Sequence, residues 1–354
     1  MKFGYWATNL GTLVFSDVEQ RTRSDFAYNA ALAQAAEAAG FDYALLAARF
    51  ISTTGAAPDL HDPLTMAAAL APVTRRLKLI AAIHPGLWHP ATIAKAGATL
   101  DALSGGRFAI NVVSGWFKEE FLRLGEPWLE HDDRYRRSAE FIEILTGLWK
   151  GDPFTFEGDY YHVKDLAFRP RPLSQPRPEI FQGGNSLAAR RMAARHSDWY
   201  LMNGDTPEGA RRQIEEITAL AREHGRRPRF GINAFVILRD TEAEALGELE
   251  QIIARADAKA VAAFADHVKG AGASTRERIG MWADSEFANL VQPNDGFKTR
   301  LVGTPAQVID RIRAYEEAGV DLILCGFLHF AEEVPPFGQS VIAQLAAGSR
   351  TPAA

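Results

Sequence analysis

Eight short runs dense in β-branched and aromatic residues, each separated from the next by a longer stretch with helical apolar spacing, constrain this chain more than any other feature. They are "KFGYWAT" (2–8), "DYALLAA" (42–48), "LKLIAAI" (77–83), "RFAINVV" (107–113), "PEIFQGG" (178–184), "WYLMNG" (199–204), "FGINAFVIL" (230–238) and "DLILCGF" (321–327). The intervening stretches carry helix punctuation. Ser24 stands as a cap before a run that ends at Gly40, Thr206 and Thr304 each precede a proline suited to a first helical position, and Gly319 closes the last helix.

Near-continuous apolar strands must be covered on both faces, and eight of them alternating with helices predict a (β/α)8 TIM barrel rather than an open doubly wound sheet. A plain barrel needs about 250 residues. The excess in this 354-residue chain falls at about 151–172, which reads as a hairpin with a proline-rich connection, and at 256–303. No linker or repeat marks a second domain, so residues 1–350 are expected to form one domain with those two insertions, and the "TPAA" end is expected to fray.

Composition narrows the partners. The net charge is −5 and the basic residues are scattered, which argues against a nucleic-acid binder. No run of roughly 18 apolar residues and no secretory leader pattern is seen, so a membrane span and secretion are not expected and the cytoplasm is the default. The single Cys325 allows no internal disulfide and reads as packing inside an apolar strand.

In a barrel, function sits at the C-terminal ends of the strands. The fourth run ends in Asn111, Ser114 and Trp116, and "QGGNSLAAR" (182–190) runs from a strand through two glycines to Ser186 at a helix start, a ready anion site at Gly184, Asn185 and Ser186. Arg134 and Tyr135 could grip a phosphate or belong to a solvated helix face. Other strand ends offer Trp6, Arg49, His84, Trp88, Asn233, Phe235, Phe327 and His329. His61–Asp62 and His131–Asp133 lack metal-ligand spacing, so no metal is expected. Neither a G-x-S-x-G elbow, a G-x-G-x-x-G turn nor a P-loop occurs. A mouth rich in rings and amides but poor in acids and bases suits a cofactor that carries its own chemistry.

The chain resembles the bacterial luciferase-like flavin monooxygenases nearly end to end. The likeness rests on "LAQAAEAAGFDYAL" (32–45), "DALSGGRFAINVVSGWFKEEF" (101–121), "GEPWLEHDDRYRRSAEFI" (125–142), "PEIFQGGNSLAAR" (178–190), "SDWYLMNGD" (197–205), "GINAFVILRDT" (231–241), "LVQPNDGF" (290–297) and "GFLHFAEEV" (326–334). The resemblance implies reduced FMN (FMNH2) and O2 at the barrel mouth, a separate NAD(P)H:FMN reductase, and a homodimer or homotetramer. It places flavin contacts at Ala48, Arg49, Asn111, Glu120, Arg134, Tyr135 and Ser186, with Gly184 and Asn185 completing the phosphate turn.

The resemblance further implies a small organosulfur substrate, with dimethyl sulfone cleaved at a carbon–sulfur bond to methanesulfinate and formaldehyde. Where alkanesulfonate-oxidising relatives carry Arg and His, this chain has Asn233 and Phe235, and where they carry a Tyr it has Phe327. A neutral amide and apolar rings suit an uncharged substrate, since burying a sulfonate without a cation is costly. Asn111 is expected to orient oxygen, Trp6, Trp88, Trp116 and Phe235 to exclude water, and His84 or His329 to move protons. The loops at 51–62 and 256–300 are expected to cover the mouth. Oxidation of an alkanesulfonate, methanesulfonate or heterocyclic amide, a deazaflavin-dependent dehydrogenase and a flavin-storage protein remain alternatives.

Overall fold

The computed structural model describes residues 1–11, 14–53, 59–272, 282 and 285–348. Twelve strands lie among them: β1 (Lys2–Trp6), β2 (Tyr43–Leu46), β3 (Lys78–Ile83), β4 (Phe108–Val112), β5 (Phe154–Glu157), β6 (His162–Leu166), β7 (Glu179–Gly183), β8 (Trp199–Met202), β9 (Arg229–Phe235), β10 (Ile237–Leu238), β11 (Val302–Gly303) and β12 (Leu322–Gly326). Eight of them, in the order β1-β2-β3-β4-β7-β8-β9-β12, close into a parallel barrel, each in one of the eight expected runs. The strands β5 and β6 form an antiparallel hairpin inside the 151–172 insertion.

The run 230–238 is not one strand. Its barrel part ends at Phe235 and the chain turns outward at Val236, so that β10 pairs with β11 instead. The second insertion approaches this strand end closely: a Cβ on Gly296 would stand 2.7 Å from the Phe235 nitrogen.

Strand pleating sorts the side chains into two cores. Tyr43, Leu45, Ile80, Ala109, Phe181, Trp199, Leu201, Leu322 and Leu324 fill the lumen. Phe181 and Trp199 stack there at 5.3 Å with planes 4° apart. Removing a ring of this kind, as in Trp199→Ala, costs about 3–5 kcal/mol. The alternate residues, among them Leu46, Ile83, Ile110, Tyr200, Ile323 and Cys325, face the surrounding helices in the large outer core. Cys325 is buried there, and burial pushes its thiol far above the usual range.

Helix caps fall close to their expected places. Thr206 and Thr304 accept from the backbone of Gly209 and Gln307, each ahead of a proline. The first helix, Phe26–Ala38, is capped by Asp25 rather than Ser24: the Asp25 carboxylate accepts from Tyr28 N at 3.0 Å, while Ser24 contributes only its carbonyl, to Asn29. A third apolar cluster, including Val14, Phe235, Val261, Phe264, Val291 and Phe297, packs the 256–303 insertion onto one end of the barrel.

Candidate active site

A cavity of about 450 Å³ opens at the C-terminal ends of the barrel strands, within the roughly 300–1,000 Å³ range of small-molecule sites. Its floor is made by Trp6, Leu45, Ala82, Asn111, Leu201 and Asn233. Ala48, Arg49, His84, Ser114, Trp116, Tyr135 and Gly183 form the walls, and Leu10, Phe15, Leu60, Phe264, Trp282 and Asn294 enclose it from above.

The polar groups of the floor and Ser114 beside it are either fixed or left open. Trp6 donates its indole N–H to Asn233 Oδ1 at 3.0 Å, and Asn233 Nδ2 donates to the Met202 carbonyl at 2.8 Å. Asn233 therefore holds Trp6 in place. Asn111 Oδ1 and Ser114 Oγ, by contrast, are buried without a hydrogen-bond partner among the described residues. An unmade hydrogen bond of this kind costs about 1–3 kcal/mol, which a ligand can recover.

The Arg49 side chain crosses one wall. Its guanidinium lies 4.3 Å from the Trp116 ring centroid and 3.6 Å from Glu120 Oε2, and its Nη1 reaches the Ala48 carbonyl at 2.9 Å and His84 Nε2 at 3.3 Å. A guanidinium can only donate, so the closer of the two Nε2 contacts, Arg49 at 3.3 Å against the Ala48 carbonyl at 3.5 Å, calls for an acceptor nitrogen on a neutral ring. Burial, and then the Arg49 charge, lower the His84 pKa to about 3. Around neutral pH this histidine is thus a hydrogen-bonding group and not a stored proton. Glu120 is fully buried behind Arg49 and does not line the cavity; its Oε1 accepts from Phe50 N at 2.7 Å and so pins the turn after β2.

At the opposite wall Ser186 caps the helix Leu187–His196, its hydroxyl accepting from Ala189 N at 3.3 Å. Tyr135 hydrogen-bonds Ser186, and Gly184 lies between them with φ of 133°. A Cβ on Gly184 would come within 2.7 Å of the Tyr135 hydroxyl, so only glycine fits this turn. Of the expected phosphate-binding set, Tyr135 lines the cavity while Gly184, Asn185 and Ser186 form the turn just behind it. Asn185 Oδ1 accepts from Arg190 at 2.7 Å. Arg134 does not line the cavity: it stacks 4.0 Å from the Trp128 centroid and donates to the Leu129 carbonyl at 2.8 Å. Adjacent helical residues project about 100° apart, so Arg134 and Tyr135 cannot both face one wall.

Four further expected site residues are not in the cavity lining. Phe327 continues the outward phase of Ile323 and Cys325 and packs on Phe41, Phe330 and Phe337 between barrel and helices. Phe235 shares the inward phase of Asn233, but at the rim it is covered by Phe297, 5.0 Å away. Trp88 leans on Phe50 at 5.3 Å, outside the cavity. His329 sits at the start of the helix Phe330–Phe337 beside Arg21, likewise outside it, and burial, then Arg21, lower its pKa. The covering loops do contribute: Ile51, Ser52, Thr53 and Leu60 from the first, and Phe264, Trp282, Pro293 and Asn294 from the second. Residues 54–58, 273–281, 283, 284 and the terminal "TPAA" lie outside the described residues.

The family profile described as "Luciferase-like monooxygenase" matches residues 1–322. The chain belongs to this family. It is 55% identical over 343 residues to an FMNH2-dependent dimethylsulfone monooxygenase of Pseudomonas putida, covering 97% of this chain and 94% of the relative. A second relative bearing the same name, from Pseudomonas fluorescens, is 54% identical over 97% of this chain and 93% of its own length. Among solved structures, a riboflavin lyase with modified FMN and riboflavin superposes with a TM-score of 0.84 at 22% identity, covering 99% of this chain and 92% of that one, a likeness of fold.

The residues present fit a flavin of the kind these luciferase-like relatives use. The open acceptor of Asn111, the open hydroxyl of Ser114, the Gly184 turn beside a helix N-terminus and the Arg49 cation are the donor and acceptor types that a ring system with carbonyl and N–H edges and a phosphate would engage. Among the described residues no helix is long and apolar enough to cross a membrane.

Proposed function

We propose that this chain is the oxygenating component of a two-component system, a reduced-FMN-dependent monooxygenase that oxidises dimethyl sulfone to methanesulfinate and formaldehyde in a single barrel domain. The observation that carries the reading is the 55% identity to an FMNH2-dependent dimethylsulfone monooxygenase over nearly the whole of both chains. The site supports it in kind. Among the described residues its one lining cation, Arg49, already faces Glu120 and is stacked on Trp116, and His84 is neutral. A sulfonate would have to be buried against a charge that is already balanced, whereas an uncharged sulfone needs no such partner.

Reduced FMN, when bound, supplies the electrons that allow one atom of dioxygen to be delivered to the substrate. The phosphate end of the cofactor is assigned to Tyr135 and the Gly184–Ser186 turn, where helix N–H groups favour an anion. Asn111 and Ser114 orient polar atoms at the floor through the hydrogen bonds they do not make internally. Neutral His84 accepts from Arg49, which holds that guanidinium on the cavity wall while Glu120 balances its charge. Trp6, locked by Asn233, and Trp116 present ring faces that keep bulk water from the reacting atoms.

A separate NAD(P)H:FMN reductase, a homodimeric or homotetrameric assembly and a cytoplasmic location complete the proposal. The test is coupled turnover with FMN, a generic flavin reductase, NADH and air, assayed for formaldehyde and for sulfinate or sulfite. Formaldehyde with methanesulfinate from dimethyl sulfone, and none from methanesulfonate, is the expected result. Product from methanesulfonate alone would overturn the neutral-substrate reading.

A further inference from the structure

We infer that Phe264, contributed by the second insertion, is the residue that limits substrate size in this site. The inference rests on the sulfone-oxidising reading above and adds to it the element that selects a compact substrate. The cavity is chemically divided. The open polar atoms, Asn111 Oδ1 and Ser114 Oγ, are on the segment leaving β4, and the helix N-terminus that suits a phosphate follows β7. Phe15, Phe264 and Trp116 line the same cavity with apolar rings, Phe264 in contact with both of the others. A cofactor that satisfies the polar side leaves those rings to face the substrate.

Phe264 is held as a fixed wall. It is 1% exposed and lies on the helix Ala258–Gly272 in phase with Val261 and Val268, which are buried in the same apolar cluster. Its ring centroid is 5.5 Å from those of both Phe15 and Trp116. The start of this helix is laced to the segment that carries Phe15. Asp257 N donates to the Phe15 carbonyl at 3.1 Å, Asp17 N to Arg255 at 2.9 Å, Phe15 N to Val291 at 2.8 Å, and Ser16 Oγ to Ile252 at 2.8 Å. These bonds hold Phe15 against the ring, and the ring itself cannot swing aside without disrupting its packing on Phe15, Trp116 and Trp282. A ring fixed in this way acts as a stop for any substrate longer than the space beneath it, and one methylene in such an apolar pocket changes discrimination roughly 10–200-fold.

The experiment compares wild type, Phe264→Ala and Phe264→Leu on dimethyl, ethyl methyl and diethyl sulfone. Coupled turnover gives kcat/KM for each, and tryptophan fluorescence titration of the same proteins gives Kd for dimethyl and diethyl sulfone independently of turnover. The diethyl-to-dimethyl preference is expected to rise at least tenfold in both measurements for Phe264→Ala, with Phe264→Leu intermediate. A preference unchanged within threefold in a folded variant overturns the inference, and Phe264→Leu decides it if the alanine variant does not fold. If wild type turns over none of the three sulfones, the functional reading falls, while the ratio of Kd values still judges Phe264.

Discussion

The two ends of the barrel use polar groups in opposite ways. At the N-terminal end, Glu179 accepts from Lys78 Nζ at 2.6 Å, Trp199 Nε1 at 3.1 Å, Tyr43 Oη at 3.2 Å and the Arg229 guanidinium. Asp42 takes Lys2 Nζ and Phe3 N, and Asp198 takes Arg177 and Ile180 N. These carboxylates are satisfied from within the chain. At the C-terminal end, Asn111 Oδ1 and Ser114 Oγ have no partner among the described residues, and a part-buried arginine rests on a ring and a carboxylate 3.6 Å away. One end spends its hydrogen bonds on stability, and the other keeps them open for another molecule.

Substitutions at the two ends can break or sharpen that contrast. The largest effect is expected for Asn111→Leu: kcat/KM should fall by about 100–1,000-fold, the range for removing one oriented polar group. Thermal unfolding should be unchanged or slightly raised, because a buried open acceptor is removed. A lower Tm with normal activity would make Asn111 a structural residue and erase the contrast.

Glu179→Gln is the reverse case. Burial raises the Glu179 pKa, but Lys78, Trp199 and Arg229 outweigh it and hold the carboxyl below its usual range. Its contribution is therefore present above the unfolded pKa and is lost as pH falls through the lower folded value. Denaturant unfolding at pH 7 should show a loss of about 2–3 kcal/mol, below that for breaking a fully buried pair because Lys78 and Arg229 are part-exposed. The difference between variant and wild type should shrink in acid, with kcat/KM of the folded variant near wild type.

His84 is linked in the same direction, for a different cause: burial and the Arg49 charge, not salt bridges, lower its pKa. Its folded pKa of about 3 lies below the unfolded value of about 6.5, so within that window the unfolded chain binds a proton that the folded chain refuses. Stability from this group falls as pH drops below about 6.5, by roughly 2 kcal/mol at pH 5. His84→Gln should flatten the stability profile between pH 7 and 5 in urea titrations; an unaltered slope would place the proton uptake elsewhere. The smallest effect is expected for Phe327→Leu, about 1–2 kcal/mol of stability with kcat/KM within twofold, because this ring packs on the outer face. A tenfold loss of turnover would instead tie the outer core to the site.

Much of the site was legible because barrel topology fixes where strand ends go. Trp6, His84, Asn111, Trp116 and Asn233 follow from that rule and line the cavity. Phe235, Phe327, Trp88 and Arg134 do not line it, although Phe235 ends a barrel strand, Phe327 directly follows one and Arg134 stands beside Tyr135. The alternation of β12 turns Phe327 outward, the 296–299 turn covers Phe235, and helix geometry lets Tyr135 face the cavity in place of Arg134. Phe264 was hidden for a different reason. A buried aromatic on an amphipathic helix looks the same whether it packs on a core or roofs a cavity.

The sequence alone determined the eight βα units, the covered strands, the helix starts at Ser186, Thr206 and Thr304, and the family, since these rest on local period, capping chemistry and motifs contiguous in the chain. The tertiary structure decided which polar atoms stay open, that Glu120 balances Arg49, that Asn233 is committed to Trp6, and that a ring more than 150 residues beyond Asn111 closes the same cavity. The reason is physical. Local spacing sets which face of an element a side chain occupies, but whether that side chain finds a partner depends on groups brought together by closing the barrel.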